Sequence, residues 1–232
     1  MQLVPSAVIA DVAAGTGLWA LQVAREMPSA RLQGLDIDLR AAPHRHWLSS
    51  NVSMQQWNIF DEVPPHLAGQ FDFIHARLLV IPLSGVDRAL VLDHLFQLLK
   101  PGAFLQWDEL DCANVHVKKP DKDISSRAID ELASMCHTDD RDDWVLRLPQ
   151  ALSSRGFVDT QMQLYGDPPD LVRAFDNQHL LTMNEFAGSL MRIGKVDGAR
   201  KIYKLVRDGY QENVQGVGFC ILRVVIVARR SS

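Results

Sequence analysis

The sequence predicts an open, doubly wound α/β sheet, and three observations carry that prediction. An apolar stretch, Val8 to Val12, runs directly into a turn of small residues, Ala13-Ala14-Gly15-Thr16-Gly17, which opens an amphipathic helix. Four further apolar stretches follow with helical patterns among them, each ending in polar residues, as strands of a parallel sheet covered on both faces do. The chain has 232 residues, 47% of them hydrophobic, which is the size and composition of one such domain. A single domain over residues 1–232 is therefore expected, with a helical and charged insert around residues 111–150.

The first strand and its turn read as a ligand site. Small residues let the backbone approach a ligand closely, and the following helix offers it unpaired N–H groups. Gly15-Thr16-Gly17-Leu18-Trp19-Ala20 fits the pattern G-x-G-x-x-G/A, which by itself does not name the ligand. Asp11, just before the turn, would repel a pyrophosphate and suit an ammonium group. Leu18, Leu21, Val23 and Ala24 lie at helical spacing, and Pro28 closes the helix. The second strand, 31–38, ends in acids. Asp36 falls at the carboxyl edge beside the turn, where an acid accepts hydrogen bonds from ribose hydroxyls, and Asp38 reads as a helix N-cap.

Residues 41–50 have a weak helical pattern, and His44 and His46, two apart, share no helix face and read as surface residues. Val52 to Phe60 is the third strand. Its Asn58 could pair with an adenine edge or cap its loop. The fourth strand, 71–79, leads to a helix over 85–100 with Val86, Leu90, Leu95, Phe96 and Leu99 inward, stopped by Lys100-Pro101-Gly102. The fifth, 103–109, again ends in carboxylates. Residues 111–143 are charged, and Asp139, Asp140, Asp142 and Asp143 read as a solvated cluster. A helix over 146–153, a strand over 156–165, helices over 171–192 and 195–213 (Ile202, Leu205 and Val206 inward), and a buried strand over 217–228 complete the chain.

Charge and cysteine usage narrow the partners. The net charge is −4, and no run of Lys or Arg exceeds a pair, so there is no general attraction to nucleic acid and a small-molecule partner is expected. Cys112, Cys136 and Cys220 are an odd set without metal-ligand spacing, which suits free thiols in a reducing compartment, with the cytoplasm as the expected location. The opening residues Met1 to Pro5 lack the basic region of a secretory signal, and no apolar run has membrane-spanning length.

Asp11 to Gly17, Asp36, Asn58, the block 71–79 and the block 98–109 together resemble the class I S-adenosylmethionine-dependent methyltransferases, most closely those of fungal secondary metabolism. The resemblance covers residues 7 to about 110 well and the remainder loosely. It implies a Rossmann-like methyltransferase fold with a seven-stranded, mostly parallel sheet whose last strand is antiparallel, in a hairpin with the sixth. It implies S-adenosylmethionine as cofactor, with Asp11, Ala13, Gly15 and Gly17 at the methionine part, Asp36 at the ribose and Asn58 at the adenine, and with Ile37 and Ile59 also among the cofactor-binding residues. Ala13 replaces the usual first turn glycine, and Asn58 a commoner Asp. Relatives carry helices before the first strand that lid the site. Here the segment 111–143 or a second copy of the chain is expected to do so, which makes a homodimer possible.

Methyl transfer needs an acceptor atom aligned with the sulfonium carbon, so positioning supplies most of the catalysis. For a hydroxyl acceptor His75, His116 and His137 are candidate bases, and Arg77 completes the catalytic set unless it only pairs with Asp108 or Glu109. No metal site is expected, because the fourth strand exits through Arg77-Leu78-Leu79-Val80 without an acid. Three other readings compete. A short-chain dehydrogenase needs a Tyr and Lys at fixed spacing, but Pro169, Arg207 and Val214 follow Tyr165, Tyr203 and Tyr210 there. A cyclase or isomerase on the same fold, or a non-catalytic partner of a full-length transferase, stays open.

Overall fold

A computed structural model describes residues 3–80, 82–83, 85–136 and 144–232; His137 and the acidic cluster at 139–143 lie outside the described residues. Among the described residues seven strands form one sheet: β1 (Val8–Val12), β2 (Arg31–Asp36), β3 (Val52–Gln56), β4 (Phe71–Arg77), β5 (Leu99–Lys118), β6 (Phe157–Tyr165) and β7 (Gly218–Arg230). The helices are α1 (Leu18–Glu26), α2 (Arg88–Leu98), α3 (Arg127–Ser134), α4 (Trp144–Ser153), α5 (Val172–Arg192) and α6 (Val196–Val214). The strand order is β3-β2-β1-β4-β5-β7-β6, mostly parallel with antiparallel last strands. The sequential order of the strands switches sides between the parallel neighbours β1 and β4, and such a switch point is where open α/β sheets bind ligands.

The chain groups into two compact units, 1–109 with 144–164 and 224–232, and 110–143 with 165–223. The segment expected as an insert around 111–150 is thus divided between them. In the first unit, α1 lays the small residues Ala20 and Ala24 against Ile9, Leu32, Val52 and Phe73 of the strands. Of its expected inward stripe, Leu18 is instead 70% exposed, because as the first helical residue it projects beside the turn rather than over the sheet. In α2 the buried face is Val91, Leu92, His94, Leu95 and Leu98, while Val86 and Leu90 are exposed. The helix begins only after Asp87, whose carboxylate accepts from Ala89 N at 2.9 Å, and this sets the phase of the stripe.

Two further expectations change. β5 has 20 residues, not seven: the register jumps from Phe71 opposite Leu99 to Phe73 opposite Phe104, so Lys100-Pro101-Gly102 form a bulge within the strand instead of a break before it. Beyond Glu109 the alternation persists, and Leu110, Val115 and Val117 pack against a second-unit core of Ile129, Val217, Phe219 and Ile221. The sixth and seventh strands are sheet neighbours but not a hairpin, since α5 and α6 lie between them in the chain.

Within the second unit, Asp176 of α5 is fully buried and joins three elements. Its carboxylate accepts from Phe219 N of β7 at 2.8 Å and from Asn213 Nδ2 of α6 at 2.7 Å. Burial pushes its pKa from 3.8 up to about 6 despite those donors. The folded chain therefore holds this proton more tightly than the unfolded chain, so stability is highest below the ordinary value and falls as pH rises through about 6. Asp176→Asn removes that loss. Urea denaturation is expected to show the variant gaining on the parent, between about pH 4 and about pH 7, by on the order of 3 kcal/mol. A constant difference across that range would contradict the buried-carboxyl assignment.

Candidate active site

The carboxyl edge at the switch point gathers the turn after β1, Asp36 and Ile37 after β2, and the exit of β4. Ala13, Gly15 and Gly17 all have positive φ, at 57°, 54° and 68°, so the turn is a run of left-handed residues in which Ala13 takes a conformation that glycine adopts more easily. Beside Gly15 a Cβ would meet nothing within 4 Å, so the turn leaves open space over its backbone. Gly34, by contrast, is required by packing. A Cβ there would lie 2.4 Å from Met54 Sδ and 3.1 Å from Ala14 Cβ, so its absence lets β2 support the turn from behind. The helix α1 starts at Gly17 with no capping side chain and no acid in its first turn, which leaves its N-terminus available to an anionic group.

Asp36 holds this turn. Its two carboxylate oxygens accept from Gly15 N at 2.7 Å and from Asp38 N at 2.9 Å, so one side chain fixes both loops that border the edge. Asp38 caps the short 3₁₀ turn 39–41 by accepting from Arg40 N, as the sequence suggests. Ile37 is 59% exposed at the rim. Asn58 caps its own loop, its Oδ1 accepting from Phe60 N and its Nδ2 donating to Asp61. Ile59 is buried, and its carbonyl is paired with His94 Nδ1 at 2.8 Å.

Under the turn, three central strands are joined by one imidazole. His75 of β4 lies opposite Asp11 in the β1–β4 register, and its Nδ1 is 2.8 Å from Asp11 Oδ1. Its Nε2 is 3.4 Å from Asp108 Oδ2 on β5, and Gln106 Nε2 donates to the other Asp108 oxygen. Trp19 of α1 stacks on the ring at 3.9 Å, nearly parallel. Burial disfavours the imidazolium, but Asp108 and Asp11 outweigh it and raise the His75 pKa above its ordinary value of 6.5. Burial also penalises the Asp108 carboxylate, yet His75, Gln106 and Arg77 together lower its pKa. Arg77 itself is exposed and faces Asp108 in the register. Glu109 holds the exit of β4, accepting from Leu79 N at 2.8 Å and from Trp107 Nε1.

The structure thus brings Asp11, Ala13, Gly15, Gly17, Asp36, Ile37, His75 and Arg77 to one edge of the first unit. His116 belongs to the second unit, where it groups with Asp167 and Cys220. The stack of Trp19 on His75 was not legible in sequence. Its only signal was polar residues at matching positions of otherwise apolar strands, and strand pairing is needed to see that Asp11, His75 and Asp108 meet.

Removing one partner of a buried ion pair strands the other. His75→Ala is expected to lower stability by about 3–5 kcal/mol in chemical denaturation, and Asp11→Asn, which keeps an acceptor facing the ring, by less. Near-wild-type stability of His75→Ala would show that the pair does not hold the edge together.

Residues 9–102 match the methyltransferase-domain family. The chain is 40% identical over 111 residues to the methyltransferase grgD of a Penicillium species, an alignment covering 44% of this chain and 38% of that protein. The chain thus spans well under half the length of this relative. Among solved structures it resembles a phosphoethanolamine N-methyltransferase of Haemonchus contortus, with a TM-score of 0.59 at 12% identity, over 100% of this chain and 50% of that one. It also resembles the [4+2]-cyclase SpnF, with a TM-score of 0.55 at 16% identity, over 97% and 75%. At those identities the two structures establish the fold alone. The sheet order and the solved structures thus agree on a Rossmann-like methyltransferase fold, and the sequence match to a methyltransferase domain covers residues 9–102.

Proposed function

We propose that the edge formed by β1, β2 and β4 binds S-adenosylmethionine and that the chain transfers its methyl group to a small-molecule acceptor of secondary metabolism. The observation that carries this reading is the uncapped N-terminus of α1 above a left-handed turn with open space at Gly15, bordered by the Asp36 carboxylate. These residues fit the cofactor's chemistry. The helix N-terminus suits its carboxylate, Asp36 its ribose hydroxyls, and the exposed Leu18 and Ile37 an apolar face of its base. When bound, the cofactor supplies an electrophilic methyl group on a positively charged sulfur.

The chain's own contribution is positioning. Asp36 presents the Gly15 backbone to the cofactor. Asp11 is fixed by His75 at the end of β1, and Glu109 fixes the backbone of Leu79 beyond β4. His75 is 1% exposed with both ring nitrogens facing carboxylates, so it acts as a positioning residue and leaves no nitrogen for an acceptor. Arg77, exposed at the end of β4, is placed to orient a polar acceptor. With the proton of a hydroxyl acceptor passing to water, no further side chain is required.

Calorimetry with S-adenosylhomocysteine tests the site, and Asp36→Ala is expected to weaken binding by about 1–3 kcal/mol, through loss of both an acceptor and the turn's support. Unchanged affinity would contradict it. Mass spectrometry of acceptor extracts tests the activity. A gain of one methyl group that depends on the cofactor supports transfer, whereas an isomer of unchanged mass, still formed when Gly15→Arg fills the open space, would identify a cyclase on the same fold.

A further inference from the structure

We propose that His116, Asp167 and Cys220 form a binding site for a divalent transition-metal ion of the zinc type, within the second unit and separate from the methyl-transfer edge. The three residues come from β5, the loop after β6, and β7, which is the strand between those two in the sheet. One donor atom from each lies within 4.8 Å of the others. Their faces agree: Val115 and Val117, and Phe219 and Ile221, pack into the core against α3, so His116 and Cys220, at the alternate positions, share the opposite face.

The Asp167 carboxylate points to a cation. Its side chain is 1% exposed, and neither oxygen accepts a hydrogen bond from the described residues. The nearest positive group is Arg223 Nη1 at 4.0 Å, beyond hydrogen-bond reach, and that guanidinium lies over the Phe175 ring. A buried carboxylate left so is costly, and native structures answer that cost with a proton, a donor or a metal. Lys118 Nζ, which donates to the Asp167 backbone carbonyl, holds the loop in place without neutralising the carboxylate by a direct bond.

The other two donors are prepared in complementary ways. His116 Nδ1 is 3.1 Å from the Asn114 carbonyl, which can only accept, so in that contact Nδ1 carries the proton and Nε2 keeps its lone pair, as in metal-bound histidines that donate to a carbonyl. His116 is exposed and gives an ion its route in, whereas Cys220 is buried. Cys220 is buried beside Asp167, and binding as a thiolate would displace its proton to solvent. With thiolate, carboxylate and neutral imidazole around a dication the site is electrically neutral, and water supplies the fourth ligand. Tetrahedral ligands stand roughly 3.5 Å apart, so closure asks for about an ångström of movement, available to the exposed imidazole.

The test is titration of the metal-free full chain with cobalt(II), followed by competition with zinc. One equivalent is expected to give a tetrahedral ligand-field spectrum with a thiolate-to-cobalt band. The band is lost in Cys220→Ser and kept in Cys112→Ser and Cys136→Ser. His116→Ala, at an exposed position that leaves folding intact, is expected to weaken binding by about 100-fold. Absence of a thiolate band at one equivalent, or its retention in Cys220→Ser, would overturn the proposal, as would undiminished affinity in His116→Ala. None of these readouts depends on methyl transfer.

Discussion

The first unit depends on a buried Asp–His pair at its centre. Asp11 and His75 face each other on adjacent parallel strands, almost without solvent, and Asp108 meets the same ring from the next strand. In a sheet of otherwise apolar strands this is an expensive arrangement. The desolvation of each group is offset only because every partner is present and Trp19 covers the ring. What it provides is placement. The residues that leave β1 and β4 at the switch point start from strand ends locked to one another.

From that base the edge is assembled by backbone hydrogen bonds to carboxylates. Asp36 takes the N–H groups of Gly15 and Asp38, and Glu109 takes that of Leu79. Two acids thus order three loops, and the open space beside Gly15 lies at the loop that Asp36 holds. Such a preorganised edge suits methyl transfer, in which alignment of donor and acceptor supplies most of the rate. The second unit uses related chemistry for another end: Asp176 joins α5, α6 and β7, whereas the Asp167 carboxylate accepts no hydrogen bond from the described residues.

Much of this was legible in the chain. The strand, glycine turn and helix at 8–26 and the acid at 36 followed from small residues and spacing, and the proposed cofactor from the family resemblance alone. Other features depended on information that local patterns do not carry. The Pro101-Gly102 pair reads as a stop, yet the β4–β5 pairing absorbs it as a bulge, because register is a property of two strands. Of the stripe expected for α2, Leu95 and Leu99 are buried, whereas Val86 and Leu90 are exposed, Val86 because it precedes the Asp87 cap that starts the helix. His75 looked like a base by residue type, and only the pairing of β1, β4 and β5 shows both its nitrogens engaged. The cysteines lacked metal spacing because the donors around Cys220 come from three separate strands or loops, far apart in sequence.

The claim that this edge is built on a charged imidazole rather than on a catalytic base is tested most directly by following the His75 ring signals by NMR across a pH titration. The account predicts a midpoint above the ordinary 6.5, falling when Asp108→Asn removes one of the two charges. A ring that titrates below 6.5 and ignores that substitution would contradict it, and would return His75 to the candidates for proton transfer.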